Sequence, residues 1–144
     1  MLATTKANST ISVRYGHSQC LLCGNKNPRS LRLLFQAGED GSVRTQFKGR
    51  TEFQGYDGLL HGGVVASLLD AAMTHCLFHR GIQAVTGDLQ VRYLKPVPFD
   101  AFLDIQASVI SSKPPLHYLQ AEIVHYGRVM AWAKAKFMQR RIVR

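Results

Sequence analysis

The sequence has few cysteines and no long hydrophobic run. Its 144 residues contain three cysteines, and an odd number cannot form a fully paired disulfide framework. A reducing compartment is the simpler location, so we expect a cytoplasmic protein. No apolar stretch reaches the roughly 20 residues of a bilayer-spanning helix. Residues 1–6 also lack the apolar core of a secretory signal, so we expect no membrane segment.

Acidic side chains are scarce as well. Nine Asp and Glu residues stand against 18 Lys and Arg residues, which gives a formal net charge of +9. Such a surface attracts phosphate-bearing partners. The basic residues form no block of like charge and do not alternate with aromatic residues along any predicted strand, so we expect no nucleic-acid partner. General solvation and binding of a small phosphate-bearing molecule both remain open.

Alternating polar and apolar residues predict six strands, and one segment breaks the alternation. From His61 to His79 nearly every position is apolar and no proline intervenes, which predicts a helix that ends at Gly81. A helix that is apolar all round is expected to be buried on all sides. The predicted strands lie at residues 31–36, 43–48, 89–93, 103–109, 119–123 and 129–138.

The order β-β-α-β-β-β-β predicts an α+β domain. Alternating runs joined by short turns, such as the hairpin signal at residues 38–41, form an antiparallel sheet with one buried face. The economical packing is one curved antiparallel sheet wrapped around the long central helix. We expect this single domain over residues 15–144, after a flexible N-terminal arm at residues 1–14.

One carboxylate lies in the middle of the apolar helix. Burying Asp70 is costly unless the carboxylate is paired or hydrogen-bonded. One hypothesis is structural: an ion pair with Lys or Arg, or hydrogen bonds to Ser67 and Thr74 on the same helix face. The other is a catalytic carboxylate in a dry pocket. The residue alone favours neither.

The start of the helix has features of an anion site. Gly62 and Gly63 let a ligand approach the backbone, and the free N–H groups at the positive end of the helix dipole suit a developing oxyanion. A tight entry turn is the alternative, with His61 as a cap. Asp70 lies about 12 Å further along the helix axis than Gly62. If both groups act on one carbon, a second chain must supply one of them, which predicts a homodimer or a dimer of dimers with composite sites.

Three segments resemble one family. Residues 61–70, His-Gly-Gly-Val-Val-Ala-Ser-Leu-Leu-Asp, resemble the helix signature of hotdog-fold acyl-CoA thioesterases of the phenylacetate-degradation type, related to 4-hydroxybenzoyl-CoA thioesterases. Residues 86–96 resemble the strand that follows, and residues 20–33 resemble the entry segment of one branch. The resemblance covers about residues 18–138. It implies the hotdog fold and hydrolysis of an acyl-CoA to a free acid and CoA.

The resemblance also implies roles for individual residues. Asp70 becomes the nucleophile or general base, the Gly62 amide polarises the thioester carbonyl beside His61, and Thr86 helps to hold the water or the carboxylate. Many relatives have Asn near the lytic water at the position of Gly55, so Asp57 or a substrate group would have to substitute. The further candidates for substrate binding are Gly63, Asp57, Met73 and, for the CoA phosphates, Arg92, Lys95 and Arg128.

The sequence is compatible with two further functions, and it contains one further motif. A hydratase or dehydratase of acyl thioesters would pair His61 with Asp70, and a non-catalytic acyl-CoA-binding module would fit the glycine at position 55. Cys20 and Cys23 form a Cys-x-x-Cys motif just after His17. A structural zinc site needs four ligands, and no second motif follows at a suitable spacing, so we expect packing in a loop and no metal or cofactor.

Overall fold

Seven strands form one antiparallel sheet in a computed structural model that describes residues 9–10 and 16–140. They are β1 (Ser9–Thr10), β2 (Gln36–Ala37), β3 (Val43–Lys48), β4 (Ala84–Tyr93), β5 (Phe102–Lys113), β6 (Leu116–His125) and β7 (Arg128–Gln139). Their order across the sheet is β1-β2-β3-β5-β6-β7-β4. In the described residues one α-helix, α1 (Gly62–His79), packs against the sheet, which confirms the predicted α+β class. The order of elements differs from the prediction by one added strand, β1, before the helix. No helix in the described ranges has the length and apolarity to cross a bilayer.

The inner face of the sheet and helix α1 form the core. Along β3 the burial alternates strictly, with Val43, Thr45 and Phe47 buried and the residues between them exposed. The same alternation on β5, β6 and β7 places apolar side chains against α1 and polar ones on the outer face. The predicted sheet with one buried face is therefore confirmed.

Helix α1 begins and ends where the sequence signals predicted. His61 is its N-cap, with Nδ1 accepting a hydrogen bond of 2.8 Å from the Gly63 N–H. Gly81 has a φ of +73° just beyond the C-terminus, a conformation that suits glycine. The prediction that the helix is buried on all sides is wrong for the single chain, because Ser67, Asp70 and other residues on one stripe are only partly buried. The sheet covers one side of the helix and leaves this stripe accessible.

The first predicted strand is mostly not a strand. Of residues 31–36, only Gln36 joins the sheet. The N–H groups of Leu31 and Leu33 instead donate to the carbonyl oxygens of Leu21 and Leu22, at 2.9 and 3.0 Å. The segment therefore pairs with the preceding loop, although its burial still alternates.

The hairpin predicted at residues 38–41 is confirmed by a 2.9 Å hydrogen bond from the Gly38 N–H to the Ser42 carbonyl. Of the predicted N-terminal arm, the structure describes Ser9–Thr10, which pairs with Gln36–Ala37. The rest of residues 1–14 lies outside the described ranges.

Candidate active site

The Asp70 carboxylate is held by a neighbouring strand. The Thr86 hydroxyl donates a 2.6 Å hydrogen bond to Asp70 Oδ1. Burial raises the pKa of the Asp70 carboxyl above its ordinary value, and the Thr86 hydrogen bond and the nearby His17 partly offset this increase. The carboxylate is thus desolvated and oriented while it remains partly accessible.

The structural alternatives for Asp70 are not formed. Ser67 and Thr74 donate to main-chain carbonyl oxygens of the helix, those of Gly63 and of Asp70 itself, rather than to the carboxylate. Within the described ranges no Lys or Arg lies at ion-pair distance from it. A desolvated carboxylate with a single hydroxyl partner is typical of a reactive group rather than of a structural ion pair.

A bulge in β4 brings Thr86 to Asp70. Leu89 packs against the core, so strict alternation would direct Thr86 to the opposite face of the sheet. The register shifts between Thr86 and Asp88, so that Thr86 pairs with the fully buried Phe137 and lies on the helix side. β-Bulges re-aim side chains in this way. The alternation of residues 89–93 gave no sign of it.

The start of helix α1 presents one free donor. The Gly63 N–H is bound by the His61 side chain, and the N–H groups of Val64 and Val65 donate to the His61 carbonyl. In the described part of the chain this leaves the Gly62 N–H as the unpartnered amide of the first turn. Gly62 is exposed, and its carbonyl accepts a 2.7 Å hydrogen bond from the Tyr93 hydroxyl.

The loop before the helix packs closely on His61. A Cβ atom at Gly55 would lie 3.4 Å from His61 Cα and 3.5 Å from its Cδ2, so a side chain there would be in direct contact with His61. Asp57 lies in an exposed turn next to Gly58, whose φ is +87°, and no hydrogen bond ties its side chain to the helix.

The remaining candidates are scattered. Met73 is completely buried in the core, so in this chain it contributes to packing rather than to an accessible surface. Arg92 and Arg128 are exposed on β4 and at the start of β7. Lys95 lines a cleft of about 240 Å³ together with Gly62 and Tyr93, which puts one positive charge near the helix start.

Sequence reasoning missed the surroundings of Asp70. A small cavity of about 110 Å³ is lined by Asp70 and by His17, Cys20 and Cys23 of the N-terminal loop. The Cys-x-x-Cys motif was visible in the sequence, but nothing local indicated that it would fold against α1. Burial and the adjacent Cys20 raise the pKa of the Cys23 thiol to about 12, so Cys23 is a poor nucleophile.

Part of the chain is similar in sequence to known thioesterases. The model of the thioesterase superfamily matches residues 57–123, which include the helix, Asp70 and Thr86. The acyl-coenzyme A thioesterase THEM4 of Rattus norvegicus is 38% identical over 52 residues, which are 36% of this chain and 22% of that protein. The chain thus matches only about a fifth of the length of that relative.

Two solved structures show the same fold. A thioesterase superfamily protein superposes with a TM-score of 0.78 at 25% identity, over 84% of this chain and 60% of the other. A hypothetical thioesterase from Streptococcus pneumoniae TIGR4, determined with coenzyme A, has a TM-score of 0.67 at 24% identity, over 69% and 82%. The curved antiparallel sheet around one helix is thus the hotdog fold. The chain is similar to the thioesterase superfamily over residues 57–123, a little under half of its length.

Proposed function

We propose that the protein hydrolyses acyl-CoA thioesters to the free acid and CoA. The observation that carries the proposal is the Asp70 carboxylate, which is desolvated, held by Thr86 and accessible from one face of the helix. A carboxylate in this state can take a proton from an attacking water or attack the carbonyl carbon itself. Either step places negative charge on the thioester oxygen.

The Gly62 amide is the proposed donor to that oxygen. It is the free N–H of the first turn, at the positive end of the helix dipole. Because Asp70 lies about 12 Å further along the same helix, the two groups act on one substrate only if two chains share each site. The exposed edge strand β4, with Val85 and Tyr93 about half exposed, supports assembly into a homodimer or a dimer of dimers.

The CoA part of the substrate suits the basic surface. Lys95 lines the cleft beside Gly62 and is the first candidate for contact with a CoA phosphate. Arg92 and Arg128 are the further candidates for phosphate contacts. The solved Streptococcus pneumoniae relative contains coenzyme A, which supports this substrate class. The three cysteines are free thiols, which fits the proposed cytoplasmic location.

The direct test is free-thiol release from a panel of acyl-CoAs. Asp70→Asn keeps the size of the side chain and removes its basicity, so we expect the rate to fall by about 10²–10⁴. Asp100→Asn, at an exposed position in the turn before β5, is the matched control and should retain wild-type turnover. Full activity of Asp70→Asn would contradict the assigned role.

A non-catalytic acyl-CoA-binding module is the second candidate. Gly55, packed directly on His61, favours it because no side chain at that position can orient a water. Tight binding of acyl-CoAs by calorimetry, without thiol release from any member of the panel, would select this function. Loss of an enoyl-CoA double bond without thiol release would instead identify a hydratase.

A further inference from the structure

A second cluster of chemically active side chains lies beside Asp70. His17, Cys20 and Cys23 each offer one ligand atom, and these atoms lie within 4.8 Å of one another. Cys23 Sγ and His17 Nδ1 are 3.6 Å apart. Zinc binds sulfur at about 2.3 Å and imidazole nitrogen at about 2.0–2.1 Å, so two tetrahedral ligands of these types lie roughly 3.5 Å apart. The spacing of Cys23 and His17 fits an S–H···N hydrogen bond without metal and a shared zinc ion equally well. The widest pair of the three ligand atoms would have to approach by up to about 1 Å to share a tetrahedral ion.

The backbone of the loop is shaped around Cys20. The Leu22 N–H donates to Cys20 Sγ at 3.3 Å, a contact that stabilises a thiolate. The Gly24 N–H donates to the Cys20 carbonyl at 2.8 Å. A Cβ atom at Gly24 would lie 2.5 Å from Cys20 N and from Ser18 O, so only glycine fits. The loop is thus folded back tightly enough to present both sulfurs on the same side as His17.

A buried histidine on helix α1 supplies an independent observation. His75 lines the same cavity of about 110 Å³ as His17, Cys20 and Cys23. It is only 1% exposed, and neither of its ring nitrogens has a hydrogen-bond partner in the described part of the chain. Buried polar groups without partners are rare and call for an unassigned ligand, ion or water. The cavity is large enough for a water-sized group that would satisfy His75.

We propose that His17, Cys20 and Cys23 bind one Zn²⁺ ion, with its fourth coordination position opening into the cavity that His75 and Asp70 line. Two thiolates and one imidazole are the donor set that zinc prefers. The fourth ligand comes from the cavity, so the sequence did not need a second Cys-x-x-Cys motif. The ion fixes the N-terminal loop against helix α1 beside Asp70. This site does not depend on the chain being a thioesterase.

The metal content and spectrum of the full chain test this proposal. The protein is purified with a phosphine reductant, its zinc is measured by mass spectrometry, and the chelated protein is reloaded with Co²⁺. We expect one zinc per chain, and for the cobalt form the thiolate-to-metal charge-transfer band and the intense visible bands of tetrahedral Co²⁺. No stoichiometric metal, or the weak spectrum of octahedral Co²⁺, would overturn the proposal. The wild-type spectrum answers the question even if a variant fails to fold.

Variants of single cysteines then locate the site. Cys20→Ser and Cys23→Ser should weaken Co²⁺ binding by more than the roughly 10–100-fold that loss of an outer-shell partner costs. Cys76→Ser is the matched control, because this third cysteine is buried on α1 with its sulfur against the Gly41 carbonyl, away from the cavity. Equal loss of metal in Cys76→Ser, or full retention in Cys20→Ser, would contradict the assignment.

Discussion

The beginning and the middle of helix α1 differ in what they offer a substrate. At the beginning, Gly62 is exposed and carries a free N–H donor. In the middle, Asp70 is partly buried and carries a carboxylate whose pKa is raised by desolvation. A hydrogen-bond donor to an oxyanion must be accessible to the substrate, whereas a carboxylate becomes a stronger base when it is desolvated. If the proposed reaction uses both groups, a single helix holds two half-sites, and each site takes its second half from another chain.

After the loss expected for Asp70→Asn, the largest effect should come from removing the donor at the helix start. Gly62→Pro deletes the N–H at a position where proline is well tolerated, and His61 already has the extended conformation that a following proline needs, with φ −62° and ψ 135°. We expect thiol release to fall by about 10²–10³.

Gly62→Ala is the matched control for this change. An alanine Cβ would meet the Tyr93 side chain at 3.6–3.7 Å, an ordinary contact, and the N–H is kept. We expect near wild-type turnover from the alanine variant. Equal activity of the alanine and proline variants would show that the amide plays no part.

A smaller effect should come from the strand that holds the carboxylate. The Thr86 hydrogen bond lowers the pKa of Asp70, so Thr86→Val should raise that pKa further. A general base must be deprotonated, so the acidic limb of the kcat–pH profile should move to higher pH. We expect kcat to be several-fold below wild type at acidic pH and to return to the wild-type value as the pH rises.

The pH profiles of wild type, Thr86→Val and Thr86→Ser check this prediction. The serine variant retains a hydroxyl, so the acidic limb of its profile should lie at the same pH as in the wild type. A loss of equal size at every pH would assign Thr86 to positioning alone.

The smallest effect should come from the charge beside the helix start. Lys95→Gln should raise KM for acyl-CoA by about 3–10-fold with little change in kcat, because the proposed contact of the ammonium is with a phosphate and not with the thioester. Lys113→Gln, exposed at the end of β5, is the control. An equal effect on a thioester that lacks phosphates would exclude the phosphate contact.

Local signals in the sequence were sufficient to predict the bounds of the helix and the position of the first hairpin turn. The bounds of helix α1 follow from the His61 cap and Gly81, and the β2–β3 turn follows from its glycines. The strand predicted at residues 31–36 failed because its N–H groups found partners in the N-terminal loop. Polar–apolar alternation shows which side chains are buried. It does not show which partners the backbone N–H and C=O groups of the same segment bind.

The site depends more on tertiary structure. Asp70 stood out as a carboxylate in an apolar helix, but its contact with Thr86 depends on a bulge that no alternation pattern revealed. The approach of Cys20 and Cys23 to Asp70 depends on how a loop folds over a helix some 50 residues further along the chain. Such contacts arise from packing between distant segments, which polar–apolar alternation does not reveal. Only the family resemblance implied the role of Thr86, and nothing in the sequence implied the contact of the cysteine loop with the helix.

The shared site is tested most directly by mixing two inactive variants. Asp70→Asn and Gly62→Pro chains are co-expressed or refolded together, so that about half of the dimers contain one chain of each kind. In such a dimer one of the two composite sites has both an intact Asp70 and an intact Gly62, so thiol release should recover to about a quarter of the wild-type rate. Mixed dimers as inactive as the two parents would contradict a site built from two chains.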